Sequence, residues 1–168
     1  EKQAEVYRGI AAACQATPTC VRVTTWGITD RHTFHPAGEM PLPFDTLYLP
    51  KPAFFALHEE LLRDNRPPAP KASPAGPRLR ELGEQWGVRV GAAVKTSAIN
   101  LDSDFRTTLV REFNLLTPEF EMKMATVQPA RGTFDFSRGK QLVSFAKTHG
   151  LAVHGHTLVW HKSLPEWL

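Results

Sequence analysis

Three clusters in the sequence combine residue types that can do chemistry. The densest is Val153-His-Gly-His-Thr-Leu-Val-Trp-His161, which sets His154, His156 and His161 beside Trp160. In a strand, alternation turns His154 and His156 to one side, so a His-x-His pair for zinc has to be weighed. A dinuclear hydrolase would also need carboxylates or further histidines at neighbouring strand ends, and no such pattern stands there. The mixture suits a sugar better, because tryptophan offers a flat apolar face while histidine, glutamate and lysine bond hydroxyls. The second cluster is Thr117-Pro-Glu-Phe-Glu-Met-Lys123, which carries Glu119 and Lys123 just past an expected strand. A solvated loop is its alternative reading. The third is Trp26-Gly27 with Asp30 close behind, where Trp26 is either a stacking platform or a core residue.

Elements must hold these side chains in place. Residues 3–13 carry Ala4, Tyr7, Ile10 and Ala11 at helical spacing, and the β-branched run 21–27 reads as a strand ending in Trp-Gly. Residues 30–48 form a loop broken by Pro36, Pro41 and Pro43. Pro52 suits the first position of a helix lined by Phe54, Leu57, His58 and Leu61. Residues 66–77 contain five prolines in twelve positions, which excludes a helix interior or a central strand. The run reads as a semi-stiff extended linker. After it a helix over 79–86 stops at Gly87, and 88–94 is a strand. Asp102 or Ser103 caps a helix bearing Phe105, Leu109 and Phe113, and 114–117 is a brief strand. Ser137 caps a helix with Leu142, Phe145 and His149 that ends at Gly150, and a strand over 151–159 follows. Alternating strands and helices predict a parallel α/β sheet. Glu119, His156 and Trp160 fall where its strands end, the place where α/β barrels keep their sites.

The composition, 42% apolar and 22% charged over 168 residues, allows one sizeable core or two small ones. A net charge of +3 with scattered Lys and Arg lacks the basic stripe of a nucleic-acid surface, so no nucleic-acid partner is expected. No apolar run reaches the roughly 18 residues of a membrane helix, and no membrane partner is expected. The first residues lack the features of a signal peptide and read as the middle of an element already under way. Cys14 and Cys20 flank a proline turn that can bring them within bridging distance, which would point to an oxidising compartment; two free buried thiols are the alternative.

Taken together, the clusters resemble a family. Residues 79–168 resemble the N-terminal third of glycoside hydrolase family 10 endo-1,4-β-xylanases. The matching words are Glu112-Phe-Asn-x-x-Thr-Pro-Glu119, Met122-Lys123, Gly132-x-Phe-x-Phe136, Phe145-Ala-x-x-x-Gly150 and Gly155-His-Thr-Leu-Val-Trp-His161. Residues 1–63 resemble the C-terminal end of the same family, through Cys14 and Cys20, Thr25-Trp-Gly-Ile-Thr-Asp30, Phe44-Asp45 and Tyr48-x-Pro-Lys-Pro-Ala53. The resemblance implies a partial (β/α)8 TIM barrel with strands equivalent to 8 and then 1, 2 and 3. The implied divisions are 1–63, a Pro-rich linker over 64–78, and 79–168. In a closed barrel the eighth strand lies beside the first, so these strands would form one arc. A junction between tandem domains is favoured over a circular permutant, because such a linker is typical between domains.

The resemblance further implies a retaining hydrolase of β-1,4-xylosidic bonds, secreted and acting on xylan or xylo-oligosaccharide without a cofactor. Retention uses two glutamates with carboxyls about 5–5.5 Å apart. The family's Asn-Glu and Thr-Glu motifs for that pair do not stand in this sequence, so no catalytic residue is expected within it and the chain alone is expected to be inactive. By the same resemblance, Glu119 and Lys123 bond the sugar on the non-reducing side of the cut. His156 and Trp160 contact the sugar being cleaved, Trp26 stacks beneath it, and Cys14 pairs with Cys20. Phe120 stands where the family usually has Asn, Met124 and Phe34 where it has Trp, and Ser163 where it has Gln. Those departures leave a non-catalytic glycan-binding remnant as the rival function. The rest of a tandem or permuted barrel is the remaining implied partner.

Overall fold

The computed structural model describes residues 1–36, 38–63 and 76–168. Most of the expected linker, residues 64–75, lies outside them. Four parallel strands form one sheet in the order β1 (Arg22–Thr25), β2 (Arg89–Val94), β3 (Leu115–Pro118) and β4 (Ala152–Val153). Val23 pairs with Val90, Gly91 with Leu115, and Leu115 with Ala152. The arc expected of strands 8, 1, 2 and 3 is therefore the arrangement seen. Parallel strands need helical crossovers, and these are present: α3 (Leu79–Gln85) precedes β2, α4 (Thr96–Leu101) and α5 (Ser103–Glu112) join β2 to β3, and α6 (Met124–Val127) and α7 (Ser137–Thr148) lead to β4.

The centre of the sheet is built from small residues. β2 is buried from Val90 to Val94, and a Cβ at Gly91 would lie 2.9 Å from Leu115 Cδ2 and 3.0 Å from Thr24 Oγ1. Only glycine lets the flanking strands close at that point. Phe105, Leu109 and Phe113 are buried as the helical spacing predicts, together with Leu116, Leu142 and Ala146. α1 (Lys2–Gln15) packs on α2 (Pro52–Leu61), and both belong to the same core through Ala11, Phe54, Leu57 and Leu61.

The long loop after β1 is more ordered than its prolines suggest. Lys51 Nζ donates to Asp30 Oδ2 at 2.7 Å and to the carbonyls of Met40 (2.6 Å) and Leu42 (2.8 Å). Asp30 Oδ1 accepts from Leu42 N at 2.9 Å. One buried ion pair thus satisfies backbone groups that helix and strand would otherwise satisfy. The two segments are stitched by Trp86 Nε1 donating to the carbonyl of Leu61 at 3.1 Å. Cys14 and Cys20 form a disulfide, which removes the free-thiol alternative.

Two expectations need correction. The strand expected over 151–159 is only Ala152–Val153. Its last ladder bond runs from His154 N to Leu116 O at 2.9 Å; the next would come from the N–H of residue 118, and Pro118 has none. Ser137 does not cap α7 but begins it; Asp135 Oδ1 accepts from Ser137 N at 2.8 Å. α4 and α6, both short, were not legible as helices. Of the two caps offered for α5, the side chain used is that of Asp102, which accepts from Asp104 N and Phe105 N. No helix among the described residues is long and apolar enough to cross a membrane.

Candidate functional site

Each strand delivers its polar residue at the same edge of the sheet. β1 ends at Thr25, whose hydroxyl donates to Gly27 O at 2.6 Å. Gly27 has φ +120°, and a Cβ there would fall 2.8 Å from Leu42 Cδ1. The glycine turns the chain tightly and leaves Trp26 half-exposed at the sheet edge. β2 ends at Val94 and presents Lys95. β3 ends at Pro118, and Glu119 N continues the pairing to Val94 O at 3.0 Å, so Glu119 is positioned by the sheet. The turn after it closes through Lys123 N to Phe120 O at 3.0 Å. That turn buries Glu119, Glu121 and Lys123.

Four of the five sugar-contact residues expected from the sequence form one cluster. Lys123 Nζ lies 3.4 Å from His156 Nδ1, 4.2 Å from the Trp160 ring centroid and 5.8 Å from that of Trp26. The rings of Trp26 and His156 meet edge to face at 4.9 Å, and those of His156 and Trp160 at 6.4 Å. The ammonium, carried past the end of β3, thus sits among two indoles and an imidazole that follow the ends of β1 and β4. The fifth residue, Glu119, stands beside it, its Oε2 3.6 Å from Lys95 Nζ.

The electrostatics follow from burial. Burial raises the Glu119 carboxyl above its ordinary value, against the pull of Lys95 and Lys123, with the negative Glu121 assisting the rise. Burial lowers Lys123, and Glu119 opposes that shift. His156 is lowered first by burial, then by the charge of Lys123 and by His154. A neutral imidazole accepting from the ammonium at Nδ1 is the arrangement consistent with those shifts. The site accordingly offers a carboxylate acceptor, an ammonium donor and an imidazole between aromatic faces, the equipment for holding a polyhydroxylated ring.

The zinc reading does not fit this geometry. His154 Nδ1 lies 3.5 Å from Thr117 Oγ1, whereas His156 Nδ1 faces an ammonium. Among the described residues, no group of three or more His, Cys, Asp or Glu side chains converges as a metal site would require. Leu158 and Val159 are exposed instead of lining an inner strand. Phe34 is exposed against His35, and Met124 lines an apolar cavity of about 590 Å³ with Met122, Phe134, Phe136 and Leu158. Ser163 contributes a backbone carbonyl to Ala125 N at 3.3 Å.

Two features were missed. Lys95 follows the buried run of β2, and the strand-end rule that selected Glu119 would have selected it too. The other is Asp102, whose carboxylate gathers His32 Nε2 at 2.9 Å, Arg31 at 3.4 Å and the hydroxyl of Tyr48. Nothing in the spacing links residues that far apart in sequence.

Residues 1–60 and 78–168 match the family model of glycosyl hydrolase family 10. Over 92 residues the chain is 40% identical to endo-1,4-beta-xylanase B of Thermotoga neapolitana, covering 54% of this chain and 27% of that protein. Over 100 residues it is 36% identical to endo-1,4-beta-xylanase 1 of Humicola insolens, covering 58% and 23% respectively. Among solved structures, xylanase 10B from Thermotoga petrophila RKU-1 in complex with xylobiose aligns with TM-score 0.51 at 39% identity, over 55% of this chain and 29% of that one. Native xylanase 10B from Thermotoga maritima aligns with the same TM-score at 40% identity, over 54% and 29%. The chain spans about a quarter of the length of these two curated relatives. With a parallel sheet of barrel type and a family match on both sides of the proline-rich run, the chain belongs to glycosyl hydrolase family 10.

Proposed function

We propose that this chain forms one wall of the substrate cleft of a secreted retaining β-1,4-xylanase, and that the two catalytic glutamates come from barrel strands outside it. The observation that carries this is the convergence of Trp26, Lys123, His156 and Trp160 at the ends of β1, β3 and β4. The two indoles present stacking faces for pyranose rings. Lys123 and Glu119 bond ring hydroxyls on the non-reducing side of the cut, and His156 with Trp160 borders the sugar that is cleaved. Residues 1–63 act as the closing segment of a barrel and 79–168 as the opening one, joined through 64–78 in a tandem or permuted parent. No bond is broken by this wall alone, because retention needs a nucleophile and an acid about 5–5.5 Å apart.

The test has two parts. Xylotetraose should quench the tryptophan fluorescence of the chain, and Trp160→Ala or His156→Ala should weaken binding about tenfold or more. An unresponsive wild-type chain rejects the reading. A version extended with the remaining barrel strands should release reducing sugar from xylan, whereas the 168-residue chain should release none. Binding without release by the extended version would favour the glycan-binding remnant. The observation behind that rival is the exposed Phe120, whose ring faces Lys95 at 5.5 Å and offers no amide to a hydroxyl.

A further inference from the structure

The two margins of the sheet are unlike its centre. β3 is buried throughout and β2 from Val90 onward, whereas Arg22, Val23 and Thr24 of β1 and both residues of β4 are only partly covered. The ladder shows what those outer strands offer. Arg89 N donates to Val21 O, and Ala152 N and His154 N donate to Asn114 O and Leu116 O, each at 2.9 Å. Alternation along an extended chain therefore turns backbone groups of Arg22 and Thr24, and of Val153, toward the open edges. The helices are placed with the same asymmetry. α1 precedes β1 and packs on α2, but among the described residues no helix follows β4. A ring of helices covers the grooves between the strands of a parallel barrel, and the groove beside β4 lacks one.

The side chains at the two margins differ in a matching way. On α1, Val6 and Ile10 stand one turn apart and are 58% and 52% exposed, with exposed Gly9 and Ala13 in the same stripe and Glu5 beside it. On α7, exposed Val143 lies between Lys140 and Lys147, three and four residues away on one face. That face borders the apolar cavity of about 590 Å³, with Met122, Phe134 and Phe136 in its wall. Neither Glu5 nor the two lysines form an ion pair among the described residues. One margin thus carries an aliphatic helical ridge with a carboxylate, and the other an apolar recess with ammonium groups.

We propose that the partner for these two margins is a second copy of this chain, with β4 of each copy beside β1 of the other. Four parallel strands are half of an eight-stranded barrel, so two copies related by a two-fold axis close the sheet and leave no edge. The helix that precedes β1 in one copy fills the vacant groove beside β4 of the other. Val6 and Ile10 then cover the apolar recess and Val143, and Glu5 meets the lysines of α7. The two-fold axis makes this contact twice, which doubles the apolar surface removed from water. Because all strands run the same way, the pair carries both tryptophan clusters at one mouth. That consequence rests on the sugar-binding reading of the cluster; the pairing itself does not.

Sedimentation of the 168-residue chain tests this. It should show a discrete species of twice the 18.8 kDa of one chain, with no larger assembly. Glu5→Lys, with a wild-type circular dichroism spectrum, should weaken the dimer about tenfold, and Lys140→Glu in the same chain should restore it. Both native cysteines are paired, so introduced thiols report on the contact. Copies with Ile10→Cys, mixed with copies with Val143→Cys and a short bismaleimide, should cross-link to each other and not to themselves. A monomer at about 100 μM overturns the proposal and leaves both margins to the strands that complete the barrel in the longer relatives. Assemblies that grow past two copies overturn it too, since they mean open-ended strand addition. A dimer without the Ile10→Cys to Val143→Cys cross-link, or without rescue by Lys140→Glu, places the contact elsewhere and does the same. Sugar binding, read by xylotetraose, stands or falls separately from each of these outcomes.

Discussion

His156 shows how one contact sets the behaviour of a residue. Its imidazole is half-buried, with the Lys123 ammonium 3.4 Å away, and both burial and that charge disfavour protonation. The folded-state pKa therefore lies below the ordinary 6.5. Around and below that pH the unfolded chain binds more protons than the folded one, so stability is full above about 6.5 and falls as the pH drops through the folded pKa. Thermal melts at pH 5 and pH 7 should show the lower midpoint at pH 5, with a smaller gap in His156→Gln. An unchanged gap would assign the pH dependence elsewhere. In Lys123→Met the imidazole titration, followed by NMR, should move up toward the ordinary value, though only in part because burial is the larger cause. At this scale the sequence was informative about residue types. It named Trp26, Glu119, Lys123, His156 and Trp160, but the ammonium between two indoles depends on three strand ends meeting.

Asp102 illustrates the element scale. Its side chain caps α5 by accepting from Asp104 N and Phe105 N, and the same carboxylate takes hydrogen bonds from Tyr48, His32 and Arg31. Burial alone would raise its pKa, yet the bonds from Tyr48, Phe105 N, His32 and Arg31 together hold it well below the usual carboxylate range. Tyr48 has φ 63°, a left-handed conformation uncommon outside glycine, in a turn closed by Tyr48 N donating to Asp45 O at 3.2 Å and Asp45 N to Leu49 O at 3.0 Å. Because the folded pKa is depressed, the stabilisation is present above about pH 4 and is lost on acidification through the folded value. Asp102→Ala should lower the unfolding free energy at pH 7 by about 2 kcal/mol, measured from the urea midpoint. Asp102→Asn should retain the cap and lose less. Equal losses for both variants would show that the charge, and not the cap, dominates. The cap itself was legible, since Asp102 precedes a periodic helix. Its second role was not, because no local pattern announces a partner some fifty residues upstream.

At the scale of the whole molecule, the sheet has two outer strands. Neither β1 nor β4 has a second neighbour among the described residues, and open strand edges invite pairing with other chains. Phe134, Phe136, Val143 and Leu158 are exposed around the apolar cavity, a patch of the kind that drives association. Sedimentation should therefore show concentration-dependent self-association that Val143→Glu, on the exposed face of α7, diminishes. A soluble monomer that unfolds cooperatively at high temperature would contradict this. Opposing it, the Cys14–Cys20 bridge closes a short loop and adds about 2 kcal/mol on the chain-entropy account.

The sequence by itself determined the alternation of strands and helices, most of the core and the residue types at the strand ends. These follow from periodicity and from turn chemistry, which act over a few residues. Tertiary structure decided that β4 stops after two residues, because Pro118 on its neighbour has no N–H to give. It decided that Lys123 stands against His156, and that Asp102 ties the first segment to the second. Those outcomes depend on which chains lie side by side, and a linear pattern does not carry that information.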